Sequence, residues 1–388
     1  MQLPTTPFNG VSSQLFPYAV NRRLFRTWFP LTYFSQLTSD DMTKPVYRHV
    51  VKAGEGLQFR VGKLNALDYK NPVMDTQQKR GLAQVQSVKS CSINTSSYSW
   101  PVLCRDLDLM KAGTPIEDLP GEVTGQLSEV QQKNFSDSML KAATWGLYGD
   151  GMTAPSVVGQ MPRTARGVAG NLVSGQANDG KYAYSATHSM GSQLETAMPN
   201  ARSSNHKLTV KHLRRLKLEA ELGGSALGTE DPVKPSRVTM VNGQNSTEYY
   251  YFAHPSSISD LIEDPDFKSM MVTRIAVENQ PQPISGADYI GKIFGINIYE
   301  CPMLSQYAAP ITNGDCAWNL LIGAGAWAVG WYKFPYVVMD KDVIENEILF
   351  CSHEMRGQDV LKYSAHHTIA NAPVTKVEQG LVHSFVRI

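Results

Sequence analysis

Three stretches of the 388-residue chain carry residue types at spacings that could do chemistry, and each lacks a part that the chemistry needs. Gly323-Ala324-Gly325-Ala326-Trp327-Ala328 follows the apolar Leu320-Leu321-Ile322 and fits the G-x-G-x-x-A dinucleotide fingerprint, with Asp340 near the spacing of a ribose-binding acid. That fingerprint works only where a helix starts and aims its N-terminal N–H groups at the pyrophosphate. Gly330 and Pro335 would break such a helix almost at once, and too little chain follows to build a cofactor domain. Gly223-Gly224-Ser225-Ala226-Leu227 lacks the final glycine of a nucleophile elbow, and no P-loop is present. His353-Glu354 begins like a zinc-protease motif but has Gly357 where the second histidine is needed, and His366 and His367 add no ligands at a recognised metal spacing. No catalytic, cofactor-binding or metal residue is expected. The enzyme reading that stays open is a cytosolic nucleotide-binding α/β protein built on the Gly323 loop.

The totals point towards contacts with protein. Basic residues number 36 and acidic residues 35, so no bulk field draws the chain onto nucleic acid or a lipid surface. Charged residues make up 18%, below the usual quarter or so, and Ser, Thr, Asn, Gln and aromatics fill the difference. Five scattered cysteines with no C-x-x-C pair read as reduced core residues of a cytosolic protein. The N-terminus lacks the architecture of a signal peptide, and its start at Met1 is read as no leader being removed. The most apolar run, 317–331, is interrupted by Asn319 and glycines and falls short of the about 20 residues that a membrane helix needs.

The elements that must position these residues form an α+β pattern. The longest helical stretch runs over 122–148, with Val123, Leu127 and Val130 on one stripe, then Phe135, Met139 and Ala142 on one side and Leu140, Ala143 and Leu147 on another. Thr114 to Glu117 fits a capping box for a short preceding turn, Pro120-Gly121 separates that turn from the helix, and Gly149-Asp150-Gly151 stops it. Residues 1–45 are an arm crowded with aromatics from Leu24 to Phe34, which must be buried on its own domain or on a neighbouring subunit. In 46–105, Leu57, Phe59 and Val61 alternate with polar residues and a second strand follows after a long polar connection, giving a projecting β-ribbon. A ribbon of two strands is marginal alone in water and needs a surface to lie on. Residues 152–205 are loop by composition. Thr209 then caps a helix over 210–222 with a basic face of Lys211, Arg214, Arg215 and Lys217, ended by Gly223-Gly224. From Ser236 to Met303 strand and helix signals alternate; the glycines of Gly291 to Pro302 suit a bend in a buried strand, and more strand follows to Tyr363.

This order of elements resembles the major capsid proteins of tailed bacteriophages, the Hong Kong 97-like fold, and within them the N-four-like family. The residues that carry the likeness are Thr209 to Leu213 leading to Gly223-Gly224, Tyr251 to Pro255 with Leu261 and Phe267, the strand Gly291 to Pro302, and Leu321 to Ala326. The resemblance implies an N-terminal arm (1–45), an extension loop (46–105), a peripheral domain (106–224) holding the spine helix 122–148 and the insertion 152–205, an axial domain (225–340) and a C-terminal return to the peripheral domain (341–388). It implies assembly into hexamers and pentamers of an icosahedral shell around double-stranded DNA, in a virion assembled in the host cytoplasm. Trp28, Phe29, Tyr33, Leu57, Phe59, Val61 and Tyr69 are then expected at contacts between subunits. Arg22, Arg23, Arg214, Arg215 and Lys217 are expected to face packaged DNA. A separate scaffolding protein is expected because no long charged heptad segment precedes the arm, and a portal and a decoration protein are the further partners; no membrane and no cofactor are implied. A cellular shell that encloses enzymes has the same fold and is the rival within structural proteins.

Overall fold

The computed structural model describes residues 34–50, 57–64, 88–105, 119–148, 167–169, 183–184, 207–222, 232–239, 245–269, 288–306, 316–342, 347–364, 376–378 and 380–387. The long helical pattern is a single helix, α1 (Leu119–Tyr148), which begins upstream of the expected start. Pro120 and Gly121 belong to its first turn and do not separate it from another; the first N–H groups of a helix have no intrahelical acceptor, so proline is tolerated there. Val123, Leu127, Phe135, Met139, Leu140 and Ala143 are buried as their spacing predicts, whereas Val130 turns away from the core and is 42% exposed.

The strands, in chain order, are β1 (Thr38–Ser39), β2 (Val46–Val50), β3 (Gln58–Leu64), β4 (Val88–Asn94), β5 (Ser96–Arg105), β6 (Gly167–Ala169), β7 (Ala183–Tyr184), β8 (Ser236–Thr239), β9 (Asn245–Ala253), β10 (Asp288–Ile293), β11 (Ile296–Glu300), β12 (Cys316–Ile322), β13 (Trp327–Asp342), β14 (Glu347–Val360), β15 (Lys362–Ser364), β16 (Lys376–Glu378) and β17 (Leu381–Arg387). A five-stranded sheet has the order β1-β2-β13-β14-β5, and an eight-stranded sheet the order β10-β11-β9-β12-β17-β6-β7 with β8 paired to β9. The pairs β3–β4 and β15–β16 stand apart. Helix α1 packs on β14. Helices α2 (Val210–Leu222) and α3 (Pro255–Glu263) bury Leu213, Leu216, Ala220, Ile258 and Leu261 in one core with Tyr251, Ile298 and Leu321 of the eight-stranded sheet.

Both shorter helices begin where capping chemistry says they should. The Thr209 hydroxyl accepts from the His212 N–H at 3.3 Å, and His254 Nδ1 accepts from the Ser256 N–H at 3.1 Å with Pro255 at the first helical position.

Several expected boundaries move. The stretch expected to be one bent strand between Gly291 and Pro302 is the tight hairpin β10–β11, with Phe294 (φ 50°) and Gly295 (φ 78°) as its two turn residues. Positive φ at both positions is the twist-compatible hairpin turn that favours Asn or Gly, and a phenylalanine gives no such signal in a sequence. Phe294→Gly should therefore raise the unfolding free energy by about 0.5–1 kcal/mol, read from the midpoint of urea unfolding. The expected domain edge at 340 falls inside β13, a continuous 16-residue strand; the chain changes sheet at 323–326. The C-terminal strand β17 returns to the eight-stranded sheet between β12 and β6. Of the expected extension loop 46–105, β2 and β5 belong to the five-stranded sheet and only β3–β4 forms the ribbon. Within 152–205, β6 and β7 pair with each other and β6 lies parallel to β17.

Candidate interaction surfaces

The Gly323 loop is closed by its own chain. Its N–H groups donate to carbonyls in sequence: Gly323 to Gly380 (2.8 Å), Ala324 to Lys234 (2.7 Å), Gly325 to Lys44 (2.9 Å), Ala326 to Pro45 (2.8 Å) and Trp327 to Pro45 (3.1 Å). A strand follows it, where the dinucleotide fingerprint requires a helix. The glycines serve close approach: a Cβ at Gly323 would collide with Val233 and the Lys234 carbonyl, and one at Gly380 would lie 2.6 Å from Ala326. With no amide left for a phosphate, the nucleotide reading fails on geometry.

Of the three histidines weighed for metal binding, His353 makes a contact within the protein. His353 Nδ1 is 2.8 Å from the Ser99 hydroxyl on the neighbouring strand, and Gly357 brings β14 against the Asn94 carbonyl and the Phe59 ring. His366 and His367 lie outside the described residues. Cys91, Cys104, Cys301 and Cys351 are free, and burial raises the Cys301 thiol to about 12, which leaves it unreactive.

A buried serine–histidine pair, which composition and spacing did not single out, joins α2 to β17: His212 Nε2 is 2.8 Å from the Ser384 hydroxyl, which also accepts from the Tyr251 hydroxyl at 3.3 Å. His212 is 7% exposed, so no substrate can reach it. Burial first and the positive charge of Arg215 second lower its pKa from 6.5 to about 4. The unfolded chain takes up this proton near 6.5 and the folded chain does not until about 4, so the neutral histidine's stability is complete above 6.5 and is lost as pH falls through that window. Unfolding free energy should fall by about 3 kcal/mol across the window from this group alone. Urea titrations at stepped pH should show a shallower slope for His212→Gln than for the parent.

The surfaces expected to meet other molecules are placed unevenly. Phe59 and Val61 are 1% and 2% exposed, packed with Cys91, Ile93, Ala328, Leu361 and Tyr363 of their own chain, while Leu57 is 65% exposed. The near part of the ribbon lies on its own body, and Leu57 is the member of that trio left facing outward. On α2, Arg214 is exposed, but the Lys217 ammonium donates to the Phe294 carbonyl at 2.7 Å and pairs with Glu221 at 3.5 Å. Arg215 is half-buried. Trp28, Phe29, Tyr33, Tyr69, Arg22 and Arg23 lie outside the described residues; the arm from Phe34 onward is anchored by its own core, with the Phe34 ring 5.3 Å from Trp327 and 6.5 Å from Phe135.

A further surface has a period-two signal that was readable once the register was known. The face of the five-stranded sheet opposite α1 carries Leu103 (50% exposed) directly across from Leu349 (38%), and Val338 (46%) across from Cys351, which faces Pro101. Strands β5, β13 and β14 thus turn Leu103, Val338 and Leu349 towards solvent on the face away from α1, where a neighbouring copy could cover them.

No family model matches the sequence, and no curated protein matches it. Solved structures do. A chain of the head of Helicobacter pylori bacteriophage KHP40 superposes with a TM-score of 0.62 at 13% identity, over 92% of this chain and 91% of that one. A chain of the capsid of Ralstonia phage GP4 gives 0.63 at 13% identity, over 92% and 91%. A chain of the cyanophage Pam1 capsid gives 0.62 at 13% identity, over 93% of each. At these identities the likeness is one of fold: this chain has the fold of phage capsid subunits.

Proposed function

We propose that the chain is the major capsid protein of a tailed bacteriophage, a subunit of the Hong Kong 97-like fold nearest the N-four-like family, which assembles into the pentamers and hexamers of an icosahedral shell. The observation that carries this reading is a fold shared with three phage capsid subunits over more than nine-tenths of either chain. The exposed side chains fit it. Leu57, Leu103, Val338 and Leu349 keep a third or more of their surface exposed in the subunit, and each Å² covered by a neighbour contributes about 25 cal/mol.

In this reading the arm (Trp28, Phe29, Tyr33) and the outer ribbon (Leu57, Tyr69) clasp neighbouring copies, and Phe59 and Val61 brace the ribbon's base. Helix α1 with the five-stranded sheet forms the peripheral part and the eight-stranded sheet with α2 and α3 the axial part. Arg22, Arg23, Arg214 and Arg215 meet packaged double-stranded DNA without sequence preference, through phosphates; Lys217 reaches DNA only by giving up its contacts to Phe294 and Glu221. A scaffolding protein, a portal and a decoration protein complete the particle, which forms in the host cytoplasm and ends in the virion. The light-scattering mass of the full chain, expressed alone and with the scaffolding protein of the same genome, tests this. Rings of five or six or closed shells support the reading, and a monomer under both conditions overturns it.

A further inference from the structure

Beneath α1 lies a charged cluster that the shell reading does not require. β14 turns Ser352, Glu354 and Arg356, two residues apart, towards α1; Glu354 is 1% exposed and Arg356 is fully buried. α1 answers with Gln131, Asn134, Phe135 and Ser138, the spacing of one helix face. Gln131 donates to the Ser352 hydroxyl, and Arg356 pairs with Glu354. The Arg356 guanidinium also donates to Asn134 Oδ1 at 2.5 Å, to the Ser138 hydroxyl at 3.3 Å and, through Nε, to Gln358 Oε1 at 2.6 Å. Its Cζ lies 5.2 Å from the centroid of the Phe135 ring of α1 and 4.5 Å from that of the Tyr98 ring of β5.

The apolar contacts of α1 alone leave its setting ambiguous. Every fourth residue along the buried row is Val123, Leu127, Gln131, Phe135, Met139 and Ala143, each at most 4% exposed. A slide of the helix by one turn, about 5.4 Å, would lay apolar residue on apolar residue everywhere except at Gln131. A buried ion pair adds little net stability over an apolar replacement of the same volume, yet its directional bonds are made in one geometry; here that geometry leaves Gln131 Oε1 and Glu354 Oε2 buried without a hydrogen-bond partner.

We propose that Gln131, Glu354 and Arg356, with Asn134 and Ser138, form a register lock that selects one axial and rotational setting of α1 on the five-stranded sheet. The helix and sheet then move as a single body, and differences between copies in an assembly are taken up outside this unit. The proposal concerns the folded chain and stands apart from what the chain assembles into.

The test places spin labels at Lys133 on α1 and Ser97 on β5, both exposed, in the full chain diluted with unlabelled copies. The parent should give one narrow distance. The apolar triple variant Gln131→Leu, Glu354→Leu, Arg356→Met should fold and unfold at or above the parent's temperature, with a broadened distribution or a second population displaced by about one turn. Arg356→Lys, which keeps the charge and loses the planar fork, should broaden it as well. A triple variant that keeps the narrow parent distance would show that packing, with the Trp327 indole N–H donated to the Met139 carbonyl, sets the register, and one that does not fold would show that the cluster serves stability; either result overturns the lock. A narrow distance in Arg356→Lys overturns it too.

Discussion

Arg356→Met is expected to destabilise the chain by about 3–5 kcal/mol, the largest effect of any single substitution considered, because it leaves the Glu354 carboxylate buried and without its counter-ion. A domain has only about 5–15 kcal/mol in hand, so the variant should unfold at markedly lower urea or be recovered as aggregate. Its pH dependence identifies the cause. Burial already raises the Glu354 pKa against the opposing pull of Arg356. Without that pull the folded chain holds the Glu354 proton more tightly than the unfolded chain does, so stability rises as pH falls and is lost as pH rises through the raised folded pKa. Unfolding curves at stepped pH should show the deficit shrinking towards acid, and Glu354→Leu added to Arg356→Met should restore most of it. A variant as stable as the parent at neutral pH would contradict the buried-pair account.

Replacing residues 65–87 by Asn-Gly should leave a folded subunit that forms no closed particles. Leu64 stands directly opposite Val88 in the ribbon, so a two-residue turn can close the hairpin at that point without disturbing Phe59, Val61, Cys91 or Ile93 on the body. The unfolding temperature should move by a few degrees at most, since Phe59, Val61, Cys91 and Ile93, which hold the ribbon on the body, all stay in place. Particles of normal size and yield from this deletion would sink the clasp.

How much of this was legible in the sequence follows from which forces act locally. Helix α2 was readable to its ends because Thr209 caps it and the apolar residues Leu213, Leu216 and Ala220 keep the helical period. The second half of β9 was readable from its aromatic run, and the strand signal from Leu320 to Trp331 marked the end of β12 and the start of β13 but not the turn between them. The β10–β11 hairpin was missed because its turn holds Phe294, a residue that strains to adopt positive φ. The Glu354–Arg356 cluster was missed because a strand reading Ser352-His353-Glu354-Met355-Arg356 looks like a solvated edge, and only the placement of α1 over it shows which charges are buried. The Gly323 loop carried a motif without its context: the same glycines that admit a pyrophosphate also admit the carbonyl of Lys234. The return of β17 beside β12 is topology over a long sequence separation, which no local pattern encodes. The apolar face of Leu103, Leu349 and Val338 required the register of three strands before its members could be seen as neighbours.

The claim that most of the account rests on is that this chain closes shells. Electron micrographs of the heaviest size-exclusion fraction test it most directly. The account predicts rounded particles of uniform size, whose averaged images resolve rings of five and six copies, each copy presenting α1 alongside a five-stranded sheet. A stable dimer or tetramer that binds nucleotide saturably, with no larger species under any condition, would contradict it.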